Sequence, residues 1–141
     1  PADAARVLGR GLMLLPSVVQ GSGPFPHATM RWTHPDRSDA ETEVALGYYL
    51  ALMTAECLAN IGADGPTLIE GPFAANPWFR AMLSAATGRP AFASEARTGT
   101  AIGAALLFTK ATRPSDRTSD APPPSTDLVA YAARWAEHAA G

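Results

Sequence analysis

Cysteine is almost missing from this sequence: Cys57 stands alone, which excludes an internal disulfide framework. Long hydrophobic runs are missing too. No stretch reaches the length of a membrane span, and none has the basic, apolar and small-residue layout of a secretory leader. Positive charge is not in excess, since 11 Lys and Arg face 13 Asp and Glu for a net charge of -2. Scattered arginines do not make the basic surface that a nucleic-acid backbone requires. These absences set the expectations of a cytoplasmic protein with no nucleic-acid and no membrane partner.

What is present suits one domain: 141 residues, 47% of them hydrophobic, are enough to bury a core. The stretch around which the rest is organised runs from Pro66 to Leu83. Thr67 to Ile69 are β-branched or apolar and too short a run for a helix, so they read as a buried strand. Gly71 and Pro72 break it. Asn76 then caps a helix that Pro77 opens, because the Asn side chain accepts a free backbone N–H and proline at the first helical position loses no needed donor. Gly88 stops that helix, with Pro90 just beyond. Ligands of parallel α/β sheets sit at the carboxyl ends of strands, and a helix N-terminus offers unpaired N–H groups. Gly71 to Asn76 is therefore the first place to look for a ligand.

On the N-terminal side, Ala2 to Gly9 reads as a short helix, and Leu12 to Leu15 with Ser17 to Val19 as an edge strand or extended segment interrupted by Pro16. Gly21 to Asp36, with Pro24, Pro26, Pro35, Trp32, His27 and His34, has no sustained period and reads as a long loop. Ser38 or Asp39 caps the longest helix, whose Leu46, Leu50, Met53, Cys57 and Ile61 recur at steps of four and three. Glu41 and Glu43 suit its start and Gly62 its end. Cys57 in that register reads as an inert buried thiol.

Beyond the central stretch come a short strand at Pro90 to Ala93 and a helix from about Gly99 to Lys110. In that helix Gly99 and Gly103, four apart, leave one face nearly without bulk; glycine there costs about 1 kcal/mol against alanine, which close packing would offset. Arg113 to Thr126, with Pro122-Pro-Pro124, reads as an extended polar connector. Thr126 or Asp127 caps a last amphipathic helix carrying Leu128, Val129, Tyr131, Ala132 and Trp135. The domain expectation is thus 1–111 as the main unit, 112–125 as connector and 126–141 as C-terminal helix.

Three segments in this order, Glu70-Gly-Pro-Phe-Ala-Ala-Asn76, Leu83-Ser-Ala-Ala-Thr-Gly-Arg-Pro90 and Gly99-Thr-Ala-Ile-Gly-Ala-Ala-Leu-Leu107, resemble the C-terminal domain of the FGGY carbohydrate kinases. The resemblance covers Pro66 to Leu107, and the helix from Leu46 to Ile61 matches the family's preceding helix. It implies an α/β fold, part of a ribonuclease-H-like, actin-like ATPase domain with helices packed on a sheet. It also implies an ATP-dependent sugar or polyol kinase with Mg²⁺, in which two domains close on the substrates and the γ-phosphoryl passes to a sugar hydroxyl.

By the same resemblance, Gly71, Pro72 and Phe73 contact the nucleotide and Asn76 lies near the adenine. Pro72 stands where most members have a second glycine, and proline removes an N–H and fixes φ. The general base, the first phosphate loop and most sugar-binding residues of the family would lie before Pro1. Phosphoryl transfer needs a base near the acceptor and donors around the γ-phosphate, and neither a Gly-rich phosphate loop with Lys nor a tight carboxylate pair occurs here.

The chain alone is thus expected to hold no catalytic residue and no metal ligand, and to work with an N-terminal kinase domain. As a piece of a larger protein it would show an exposed apolar face, or a homodimer that covers one. A non-catalytic binding or assembly module of the same fold, and an unrelated small α/β domain with a closed core of its own, are the alternatives. His27, His34 and Asp36 share a loop without short metal-ligand spacing. Trp78 and Phe79 read as an adenine-stacking pair or as core, and Glu70 and Glu95 as loop-bonding carboxylates.

Overall fold

Asp3 in the first turn and Arg10 in the last suit the dipole of the opening helix, α1 (Ala2–Arg10), which buries Ala4 and Val7. These details come from a computed structural model, which describes residues 2–94, 107, 108 and 124–140. The helix expected over Gly99 to Lys110 lies outside the described residues, apart from Leu107 and Phe108, which form an exposed turn. Glu95 and residues 113–123 of the connector also lie outside them.

Gly11, at φ 63°, turns the chain out of α1. Leu12 to Ser17 are then buried without alternation, as befits a segment covered on both faces. Only Leu14–Leu15 form a strand, β1, antiparallel to β2 (Arg31–Trp32) with Leu14 opposite Trp32. β2 interrupts the long loop that the sequence suggests. Thr33 fastens the loop to the start of β1: its Oγ1 accepts from Met13 N–H at 2.8 Å and donates to the Gly11 carbonyl at 2.9 Å.

Ser38 caps α2 (Asp39–Asn60) in a full capping box with Glu41. The inward face of α2 is not the one its leucines suggest. Val44, Ala45, Gly47, Tyr48, Ala51 and Leu52 are buried, whereas Leu46, Leu50 and Cys57 are exposed and Ile61 is 76% exposed. The expectation of a buried Cys57 is corrected accordingly. The helix is apolar on nearly every side, and the small residues Ala45, Gly47 and Ala51 let neighbouring backbones come close where leucines would not.

Glu41 is buried, and its carboxylate accepts from Ser38 N–H at 2.9 Å and from Arg10 Nη1 at 3.1 Å. The Ser38 N–H first, and Arg10 after it, hold this carboxyl below its ordinary value of 4.5. A carboxyl depressed on folding adds stability that is complete above its unfolded value and is lost as the pH falls through the folded one. The urea midpoint should therefore fall between pH 7 and pH 3 by more in the wild type than in Glu41→Gln. Equal falls would place the acid sensitivity elsewhere.

After Gly62 the chain enters β3 (Thr67–Ile69), which pairs in parallel with β4 (Ala91–Ala93), Thr67 opposite Ala91 and Ile69 opposite Ala93. Between them lie a 3₁₀ turn (Pro72–Ala75) and α3 (Pro77–Thr87), the crossover that parallel strands require. Gly88 at φ 65° ends α3 as the sequence indicates. Arg89 then donates to the Ala63 carbonyl at 2.8 Å, joining this turn to the one after α2.

The last helix, α4 (Thr126–Ala140), starts one residue earlier than its expected caps allow. The hydroxyl of Ser125, rather than Thr126 or Asp127, accepts the Leu128 N–H. Leu128, Tyr131, Ala132 and Trp135 are buried. The Tyr131 hydroxyl donates to the Leu12 carbonyl at 2.6 Å and the Trp135 indole to that of Leu14 at 2.7 Å. Rings of Phe25 and Tyr49 meet Trp135 edge-on, and Tyr48 meets Tyr131 in the same way. Burial pushes the Tyr48 phenol up to about 12 and raises Tyr131 as well. The described residues thus form a mixed α/β structure, with α2, α3 and α4 packed around the main core and two small sheets at its margins.

Candidate functional site

The turn at the carboxyl end of β3 is built by local chemistry. Gly71 takes φ 78° and ψ -160°, a conformation that a side chain would strain. A Cβ built there meets nothing among the described residues within 4 Å, so the strain lies in the backbone. Pro72 starts the 3₁₀ turn, in which Ala74 N–H donates to the Gly71 carbonyl at 3.0 Å and Asn76 N–H to that of Phe73 at 3.1 Å. Asn76 Oδ1 accepts from Phe79 N–H at 3.0 Å, which is the cap that the sequence predicts.

Gly71, Pro72 and Phe73 are exposed and Asn76 is half-buried. The Phe73 ring is 45% exposed and rests on buried Phe79, with centroids 5.1 Å apart at 37°. The turn therefore presents an aromatic surface supported from below. Phe79 belongs to the core, while Trp78 turns aside into a cavity of about 920 Å³ between α1, α3 and α4, shared with Tyr48, Leu8, Arg80 and Leu128. None of Gly71, Pro72, Phe73 and Asn76 lines this cavity or those of about 570 and 390 Å³. The four predicted residues lie together on one exposed turn. Glu70 beside them is exposed.

One residue of this region carries no local signal in the sequence. At Gly47 of α2 a Cβ would stand 2.9 Å from Trp78 Cβ and about 3.5 Å from the Asn76 amide, so only glycine lets α2 approach the start of α3 this closely. Its neighbours are distant in sequence, and nothing around position 47 announces them. In the long loop, His27 is exposed and His34 Nδ1 lies 3.1 Å from Thr33 Oγ1. The described residues contain no group of three His, Cys, Asp or Glu side chains arranged to hold a metal.

A model of the family "Carbohydrate kinase FGGY, C-terminal domain" matches residues 1–117. The chain belongs to the FGGY carbohydrate kinase family. Among solved structures, it is similar to a carbohydrate kinase from Novosphingobium aromaticivorans, with a TM-score of 0.86 and 29% identity. That match covers 99% of this chain and 30% of the other, so α4, beyond the end of the FGGY model match, is included in it. The chain spans less than a third of that kinase's length. None of the curated proteins compared with it matches. Within the FGGY C-terminal domain, the turn from Gly71 to Asn76 follows a parallel strand and opens a capped helix.

Proposed function

We propose that this chain is the nucleotide-side portion of an ATP-dependent sugar or polyol kinase, which transfers the γ-phosphoryl of ATP to a sugar hydroxyl. The observation that carries the reading is the match to the FGGY C-terminal domain over residues 1–117, and the likeness to a solved carbohydrate kinase supports it. The ribonuclease-H-like, actin-like ATPase fold belongs to the same proposal, as does the division into 1–111, a connector at 112–125 and a C-terminal helix at 126–141.

Within this reading Gly71, Pro72, Phe73 and Asn76 form the nucleotide contact. The exposed ring of Phe73 supports that assignment, since an adenine face stacks on an aromatic ring. Asn76 Oδ1 is engaged by the helix cap, which leaves its amide N–H₂ for a ligand. The described residues offer no carboxylate cluster for Mg²⁺, so no step is assigned to the metal here. The base, the phosphate loop and the sugar contacts are assigned to an N-terminal domain, and this chain without it is expected to be inactive. The exposed Leu46, Leu50 and Ile61 of α2 fit a partner surface, either that domain or a second copy. A cytoplasmic setting completes the reading, and no helix among the described residues is long and apolar enough to cross a membrane.

Pro72 supports a second reading, an assembly module that has lost its nucleotide contact, because the residue offers no N–H. Titration of Mg-ATP into the full-length protein, with a sugar panel assayed alongside, separates the two. Phosphorylation of one sugar class is expected, together with nucleotide binding that tightens several-fold in Pro72→Gly. Absence of binding in both forms, with no sugar phosphorylated, would leave the assembly module.

A further inference from the structure

A second concavity shares no residue with the turn at Gly71. It is a cavity of about 570 Å³ where the end of α1, the β1–β2 ribbon and the end of α4 converge, and its wall carries Arg10, Arg31, Arg134, His34, His138 and the ring of Trp32. In a chain of net charge -2, three guanidiniums on one wall are a local concentration of positive charge. Their existing bonds leave most of that charge uncompensated. Arg10 is paired with Glu41 at 3.1 Å and with Asp36 at 3.3 Å.

Arg31 spends one N–H on the His138 carbonyl at 3.0 Å, and Arg134 one on the Leu8 carbonyl at 3.4 Å. Neither meets a carboxylate among the described residues. A carbonyl at a helix end carries only a fraction of a charge, and a guanidinium has five donors. Arg37 lies close by, its guanidinium 4.0 Å from the centre of the Trp32 ring; it adds to the positive field and holds that ring in place.

We propose that this cavity binds a phosphorylated small organic molecule, with Arg31 and Arg134 gripping the phosphate and the apolar floor of β1 and Trp32 receiving its carbon skeleton. Guanidinium forks match phosphate oxygens two at a time, and two forks facing one concavity suit a phosphate monoester better than a carboxylate. The volume exceeds what an inorganic ion fills, which argues for an organic body. The site is independent of the nucleotide turn, so it stands or falls separately from the kinase reading.

The test is a titration of inorganic phosphate, and then of a hexose phosphate, into the full-length protein in low-salt buffer, followed by the NMR signals of the His34 and His138 rings. Saturable shifts are expected with both ligands, tighter with the hexose phosphate, and no shift with the unphosphorylated hexose. Arg31→Gln with Arg134→Gln should weaken the phosphate at least tenfold. Arg31→Gln alone, at an exposed residue, should weaken it several-fold if the double variant does not fold. Absence of saturable shifts, an affinity unchanged in the folded variants, or equal shifts with the unphosphorylated sugar would overturn the proposal. Phosphate taken up at the nucleotide turn instead would leave both rings unmoved, and that too would overturn it.

Discussion

Replacing Trp135 with alanine is expected to destabilise the protein by about 3–5 kcal/mol. At the lower end of stability for a chain of this size, that is enough to unfold it. Trp135 is 1% exposed, and it joins three parts of the chain. Its indole N–H satisfies the Leu14 carbonyl, and its ring is flanked by Phe25 from the long loop and Tyr49 from α2. Alanine would leave a cavity between them and a buried carbonyl unpaired, and the two costs add. Thermal unfolding followed by circular dichroism should show a fall of roughly 10 °C or more. Trp135→Phe keeps most of the volume but not the donor, so it should lose only part of this. A Trp135→Ala protein as stable as the wild type would mean that α4 does not seal the core.

Phe79→Ala is expected to act on the core and the candidate site together. The ring is buried, so truncation should cost about 3–5 kcal/mol, and it also withdraws the support under Phe73 at 5.1 Å. Under the kinase reading, nucleotide affinity falls along with stability. Phe79→Leu separates the two effects, since it restores much of the buried volume without restoring the aromatic stack. Near-normal stability with weakened nucleotide binding would tie the Phe73 platform to the ligand. Weakened stability with normal binding would remove Phe73 from the site.

How much of this was legible in the sequence depended on how local the cause was. Both ends of α3 were readable because Asn76, Pro77 and Gly88 act on backbone groups within a few residues of themselves. The β3 to α3 turn followed from the same signals. The register of α2 was not readable: leucines repeat on its outer side, while the inner side is made of tyrosines and small residues chosen by what packs against them. Cys57 went astray with that register. Glu41 read as a dipole-matching acid, yet its ion partner Arg10 is 31 positions away, and no spacing rule reaches that far. Likewise Arg31 and Arg134, in the loop and in the last helix, had no visible reason to share a cavity. The resemblance to the kinases located the candidate turn, but it could not say that the turn would stand exposed on a phenylalanine pair.

The two bonds from α4 to the β1 segment span 119 and 121 positions. During synthesis, then, Leu12 and Leu14 emerge from the ribosome long before their partners exist. Until α4 leaves the exit tunnel, these two carbonyls have only water or a chaperone in place of the Tyr131 and Trp135 donors. Closure over so long a span is among the slow events of folding, so the segment around β1 would stay an open half-core until α4 has been made.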